Sequence, residues 1–261
     1  MNVNLASYVS LLAGVLVFVA AYAFSGRQTV RLRLTLLSCS AILSIPSILV
    51  FLYYFHVLPE TETFYSFRAL LGSELAILFL AAAAGILSSF FSRVLLAFLL
   101  FALLLVGAAP YLKPLVSPLD TNLLQDRWKG DACLQSTLST CGPASVASAL
   151  KHFGVYLSER DIAREAHSYT GGTEAWYLAR VVRNKGFCAD FVIRKQLILD
   201  IPVPAMIGVR MGGTGHFIVI LSRQGNTITF VDPLSGEETL AADELLRRYH
   251  FTGFHMTITR R

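Results

Sequence analysis

Four apolar runs fill the first 112 residues of the chain, at residues 5–24, 34–55, 74–91 and 94–112. Each fits the hydrocarbon core of a bilayer, which takes about 20 residues of helix to cross. Unpaired backbone groups find no water in lipid, so runs of this kind are read as helices. Pro46 is expected to kink the second. Only Ser92 and Arg93 separate the third from the fourth, which makes that pair a tight helical hairpin. The first run begins at MNVNLAS, without the positive n-region of a cleaved signal peptide. It is therefore read as a span that stays in the protein.

Hydrophobic residues make up 54% of the chain and charged residues 15%, against about a quarter charged in soluble domains. The apolar excess lies before residue 113, so the two halves face different solvents. Residues 113–132 hold Pro114 and Pro118 and show no apolar period, as a linker would. The expected organisation is a four-helix transmembrane domain over 1–112, a linker over 113–132, and a second domain over 133–261. The net charge of +5 is scattered, with no basic run and no aromatic-basic interleaving, which speaks against nucleic acid as a partner. Arg27, Arg31 and Arg33 follow the first run and Arg93 the third, whereas the loop after the second holds Glu60 and Glu62 against Arg68. By the positive-inside rule, the basic loops are cytoplasmic, and both termini lie outside.

From Cys133 onward the periodicity changes. Helical spacing follows Cys141, through Val146, Ala149, Leu150 and Phe153. Ser158 opens a second helix as its cap, and a third, over residues 173–185, is closed by Gly186. Short β-rich runs then appear, among them a hairpin turned at Gln224-Gly225-Asn226, and AADELLRRYH gives a last short helix. Helices first and an antiparallel sheet later define an α+β domain.

Four side chains in this domain carry candidate chemistry. Cys141 begins a helix and is followed by Gly142 and by Pro143, which fits the first turn. The positive end of a helix dipole favours a thiolate, the nucleophilic form of cysteine. His216 opens the strand HFIVIL after MGGTG, and Asp232 ends the partner strand of the same hairpin. Side by side, they form a general base and the carboxylate that orients it. Gln135, six residues before Cys141, is placed to donate its amide to an oxyanion, together with the Cys141 N–H. Each residue alone reads more readily as structure: a small residue at a helix start, a strand-edge histidine, a turn before proline, loop filler. Their joint order is what gives the catalytic reading weight. His152, His167 and His250 read as surface or packing residues, and Trp176 and Tyr177 as core.

The four cysteines, Cys39, Cys133, Cys141 and Cys188, show no Cys-x-x-Cys or Cys/His spacing, so no metal site is expected. No cofactor is expected either, since no Gly-x-x-x-x-Gly-Lys-Ser/Thr motif is present. In an oxidising compartment Cys133 has Cys188 or Cys141 as a possible disulfide partner.

The segments CLQSTLSTCGPASVASALKHFGV, TGGTEAWYLARVVRNKGFCADFV, IPVPAMIGVRMGGTGHFIVI and ITFVDPLSGEETLAADELLRRY resemble the papain-like cysteine peptidases that process bacteriocin precursors, the double-glycine leader peptidases. The resemblance runs from Cys133 to Tyr249. It matches Gln135 and Cys141, Gly172 and Thr173, then Pro204, His216 and Asp232. It implies a papain-like cysteine peptidase domain with Cys141 as nucleophile, His216 as base, Asp232 as orienter and Gln135 in the oxyanion hole. The best-known members are fused to an exporter with an ATPase, and neither role carries over to a chain without an ATP motif. Members that lack the nucleophile are binding modules, and this chain keeps Cys141. The resulting expectation is a membrane-anchored cysteine endopeptidase of a bacterial-type inner membrane, its peptidase domain on the outer face. Its partners would be a peptide or precursor protein cut after a Gly-Gly type leader, the lipid bilayer, and a membrane protein. The competing readings are a non-catalytic leader-binding module and an acyl-transfer enzyme using the same triad.

Overall fold

The computed structural model describes residues 5–91, 94–96, 98–100, 102–103, 113–114, 116–194 and 200–261. Its contacts divide the chain into two units. One holds Thr61–Ala69 and Ser117–Arg261, the other Val3–Glu60 and Leu70–Val116.

The second of these is helical. α1 (Leu5–Ser25) carries no charged residue and is long and apolar enough to cross a membrane. α2 (Val30–Leu43) starts at Thr29, whose hydroxyl accepts the Leu32 N–H. α3 (Ile45–Tyr54) continues from α2 after a 46° bend at Ser44. The bend sits beside Pro46, whose ring has no N–H for the preceding turn. α4 (Glu62–Arg68) belongs to the other unit. α5 (Ile77–Ser88) follows a 3-10 turn at Ser73–Ala76. Among the described residues, one helix passes as a membrane span, or up to three if each bent helix pair counts as one. Most of the fourth apolar run, residues 94–112, lies outside the described residues. α1 and α5 approach closely, because a Cβ on Gly85 would meet the Phe18 carbonyl oxygen at 2.3 Å. Small residues permit such contact between apolar helices. Phe18, Ala81 and Leu103 form the buried centre of this unit.

The other unit carries the sheet. β1 (Arg127–Lys129) and β2 (Ala132–Leu134) form a small hairpin within and just beyond the segment read as linker. α6 (Cys141–His152) follows, and its first ten residues are all buried, so it is the central helix of the unit. α7 (Glu159–Glu165) starts where Ser158 Oγ accepts the Asp161 N–H at 3.0 Å. α8 (Ala175–Asn184) ends before Gly186, whose φ of +90° suits a residue without a Cβ. Then come β3 (Phe187–Ile193), β4 (Ala205–Met211), β5 (Thr214–Gln224), β6 (Thr227–Asp232), β7 (Gly236–Ala241), α9 (Ala242–Arg248) and β8 (His250–Arg260). The six-stranded sheet has the order β3-β8-β4-β5-β6-β7, and every pairing is antiparallel.

The sheet is buried on both faces. Ile207, Val209, Ile218 and Phe230 pack with Leu245 and Tyr249 at the α9 end. The alternate residues Met206, Val219, Val231 and Met256 are also fully buried. Period-two alternation with both sides apolar is what a covered sheet demands. β8 lies between β3 and β4, a place that residue order does not announce.

Candidate active site

Cys141 opens α6, and the side chain of Thr140 before it makes no capping hydrogen bond. The first-turn amides and the positive helix end therefore stand at the cysteine without a competing side chain. Two bonds fix the helix in place. Ser145 Oγ donates to the Phe217 carbonyl at 3.1 Å, on β5. Ser148 Oγ accepts the Cys133 N–H at 2.9 Å, from β2. Gly142 keeps the turn close to its neighbours: a Cβ there would sit 2.8 Å from Leu178 Cδ1 and 3.7 Å from Thr173 Cβ.

β5 and β6 supply the other half. Val219 pairs with Val231, so Asp232 and His216 fall on diagonal positions of the hairpin, within side-chain reach. His216 Nε2 and Asp232 Oδ1 are 2.8 Å apart, and both residues are buried. The Cys141 side chain lies near enough to the imidazole to help raise its pKa. Burial alone would lower the imidazole pKa. The hydrogen bond to Asp232 and the interactions with Cys141 and the Asp232 charge outweigh it and lift the pKa to about 9.

Asp232 holds three donors: His216 and the Leu234 N–H (2.9 Å) at Oδ1, and the Tyr249 hydroxyl (2.6 Å) at Oδ2. Burial favours the neutral acid, but the bonds from His216, Tyr249 and Leu234 overcome it and hold the carboxyl below its ordinary range. The Tyr249 hydroxyl is pushed up, first by burial and then by its bond to Asp232.

Gln135 follows β2. Its N–H donates to the Pro233 carbonyl at 2.9 Å, which ties it to the turn after Asp232. Arg127 Nη2 donates to its carbonyl at 3.0 Å. The side-chain Nε2 donates to Thr137 O at 2.8 Å, and Oε1 is buried without a partner among the described residues. One amide hydrogen remains to be given. Glu159, fully buried, accepts both the Ser136 N–H (2.8 Å) and the Ser136 hydroxyl, and so holds the residue next to Gln135.

His216 and Asp232 are thus hydrogen-bonded, Cys141 interacts with the same imidazole, and Gln135 is joined through its backbone to the Asp232 turn. Tyr249 and Glu159 were missed from sequence. Each acts through a register or a loop contact that residue order does not show. Thr173 lies beside the α6 start, and the Gly171 N–H donates to Ser139 Oγ at 3.0 Å. Pro204 sits at a cis peptide bond, and its carbonyl accepts the Ile258 N–H. Trp176 and Tyr177 are buried. All four cysteines are free thiols. Burial, with the charges of Glu159 and Asp126, pushes the Cys133 thiol far up, which keeps it protonated and unreactive. Among the described residues no three His, Cys, Asp or Glu side chains gather as a metal site would require.

Comparison with known proteins gives this geometry a family. The model of the Peptidase C39 family matches residues 130–261. An uncharacterized protein of Methanothermobacter marburgensis is 34% identical over 109 residues, 42% of this chain and 75% of the relative. One of Methanothermobacter thermautotrophicus is 32% identical over 127 residues, 49% of this chain and 87% of the relative. Among solved structures, the peptidase domain of Streptococcus ComA, a bi-functional ABC transporter, is 21% identical with a TM-score of 0.43, covering 49% of this chain and 96% of that domain. A double glycine motif protease from an AMS/PCAT transporter, solved with its leader peptide, is 22% identical with a TM-score of 0.43, covering 49% and 89%. Through residues 130–261 the chain belongs to the Peptidase C39 family, to which the Gln135, Cys141, His216 and Asp232 pattern had pointed.

Proposed function

We propose that the chain is a membrane-anchored cysteine endopeptidase that cuts a peptide or precursor protein, after a Gly-Gly type leader. The observation that carries this reading is Cys141 at the start of a buried helix, interacting with an imidazole that Asp232 holds by a 2.8 Å hydrogen bond. Family membership supports a peptide substrate.

The chemistry follows from the geometry. His216 takes the Cys141 proton, and the thiolate sulfur attacks the scissile carbonyl carbon. The oxygen of the tetrahedral intermediate is met by the Cys141 N–H and by the free amide hydrogen of Gln135. The imidazolium then gives its proton to the leaving amine, and the C–N bond breaks. Water, losing a proton to His216, attacks the thioester, and the returned proton frees Cys141. Asp232 keeps its charge throughout and holds the ring, as the orienting carboxylate of a triad does.

The anchor consists of α1, the α2–α3 pair, α5 and the run at 94–112, crossing an inner membrane four times. The peptidase domain at 133–261 stands on the outer face, after the 113–132 linker. The apolarity of α1 and of the bent α2–α3 pair supports this anchoring, and the arginine bias of the loops supports the orientation.

The test uses the full-length chain in detergent with a synthetic Gly-Gly precursor, its products weighed by mass spectrometry. The wild type should give two fragments, the pair heavier by one water, and Cys141→Ala should give none while still binding the precursor. Equal turnover in both would overturn the reading. Binding without cleavage by the wild type would make the chain a leader-binding module, and an amine joined in place of water would make it a transferase.

A further inference from the structure

Thr61–Ala69 falls in the sequence between two apolar helices, yet it is built into the peptidase unit. Thr61 Oγ1 accepts the Phe64 N–H at 3.2 Å and starts α4. Glu62 Oε1 accepts the Ile193 N–H at 3.0 Å, at the end of the edge strand β3, and pairs with Arg194. At the other end of α4, Arg180 Nη2 donates to the Arg68 carbonyl at 2.7 Å, and the Arg68 guanidinium lies 5.3 Å over the Trp176 ring. Between these ends Phe64 and Tyr65 are buried. Phe64 meets Trp176 edge-on at 5.7 Å, and Tyr65 lies 5.2 Å from Phe191 and 5.1 Å from Phe254. Aromatic burial of this kind is among the largest single contributions to a core.

The contact leads to the site in two steps. Phe254 lies 5.6 Å from Phe217, the residue after His216. α8, which carries Trp176, also carries the Leu178 that abuts Gly142 beside Cys141.

We infer that Thr61–Ala69 is an integral strap of the peptidase unit, backing the elements that carry His216 and Cys141, and that its docking obliges the unit to share one face of the bilayer with the α3–α5 connection. The bilayer part rests on reading the flanking helices as spans. It holds for either orientation. A segment packed among Trp176, Phe191 and Phe254 cannot lie across a membrane from them. Residues 70–116 therefore cross the bilayer an even number of times, so that α5, if it crosses, is paired with one further crossing before Ser117.

Both arms of the test use the full-length chain in its native membrane with Cys141→Ala, so that no readout depends on turnover and the peptidase reading stands or falls separately. Phe64→Ala with Tyr65→Ala should shorten the trypsin half-life of the 117–261 unit by about tenfold or more, since such resistance follows the opening equilibrium. In the second arm Cys39 and Cys188 are replaced by alanine, and His56→Cys or Gln224→Cys, both at exposed positions, is offered to a membrane-impermeant maleimide on intact cells. The two should label on the same side, both before lysis or both only after it. An unchanged half-life, or labelling of the two on opposite sides, would overturn the inference.

Discussion

Tyr249 donates its hydroxyl to Oδ2 of Asp232 across 2.6 Å, from the junction of α9 and β8. The bond fixes the carboxylate plane, so that Oδ1 faces His216. Removing the hydroxyl leaves a buried oxygen unpaired and the carboxylate free to turn. Tyr249→Phe is expected to lower kcat by about tenfold with KM held, the size of one lost hydrogen bond to a charged group. The carboxylate becomes more basic without this donor, so the alkaline limb of the pH profile should not move down. Steady-state kinetics against pH would show both. A wild-type rate would mean that Leu234 N–H and His216 suffice to hold Asp232.

His216 gives a pH dependence whose sign is fixed by its raised pKa. Its value in the folded chain, about 9, lies above the ordinary 6.5. The protonated ring therefore contributes stability in full below pH 6.5, and that contribution is lost as pH rises from 6.5 through about 9. The melting-temperature gap between the wild type and His216→Gln should narrow across that window. Cys141→Ala removes an interaction that raises the pKa, so the imidazole titration followed by NMR should move to lower pH. An unmoved titration would show that Cys141 does not face the ring.

Gln135 is expected to act on the transition state more than on binding. One of its amide hydrogens is held by Thr137 O, which points the group, and the other is left to give. Gln135→Ala should reduce kcat by about 10²–10³-fold, the range for one oxyanion donor, with KM changed little. Gln135→Glu removes the donor at similar volume and should do the same. A loss confined to KM would place Gln135 in substrate binding instead.

The parts of this site that could be read in the sequence are those with a local signature. Cys141-Gly142-Pro143 marks a helix start because proline tolerates only the first turn, and Gln224-Gly225-Asn226 marks a hairpin because its glycine accepts the turn. The diagonal pairing of His216 and Asp232 also needs the register shift between Ile220 and Ser222, which turns both side chains to one face and has no sequence signal. What stayed hidden depends on distant partners. β8 alternates Phe254, Met256 and Ile258 with His255, Thr257 and Thr259, but Gly253 breaks its start and nothing nearby says that it enters the middle of the sheet. α4 reads as an inter-span loop because the residues that bury Phe64 and Tyr65 lie more than a hundred positions later. Tyr249 looks like the end of an amphipathic helix until the sheet order places it under Asp232.

Gly253 is where β8 gains its place, and it can be tested against a control that also has a positive φ. Its φ is +88°, and a Cβ would fall 1.8 Å from the carbonyl oxygen of Arg194, which is backbone and cannot rotate away. The Arg194 N–H donates to the Gly253 carbonyl at 3.0 Å, and the His255 Nδ1 lies 3.0 Å from that same oxygen. Any shift that relieves the clash therefore breaks the link of β8 to the end of β3. Gly130 has a φ of +62° with nothing within 4 Å of a would-be Cβ, so an alanine there meets conformational strain alone. Gly130→Ala is expected to cost about 1 kcal/mol, the usual penalty of a left-handed residue. Gly253→Ala adds a backbone clash to that strain and is expected to cost upward of about 4 kcal/mol, enough to unfold a domain of ordinary stability. Urea unfolding of the two variants separates the terms. Similar midpoints would mean that β8 tolerates displacement at Gly253 and that the sheet is not held there.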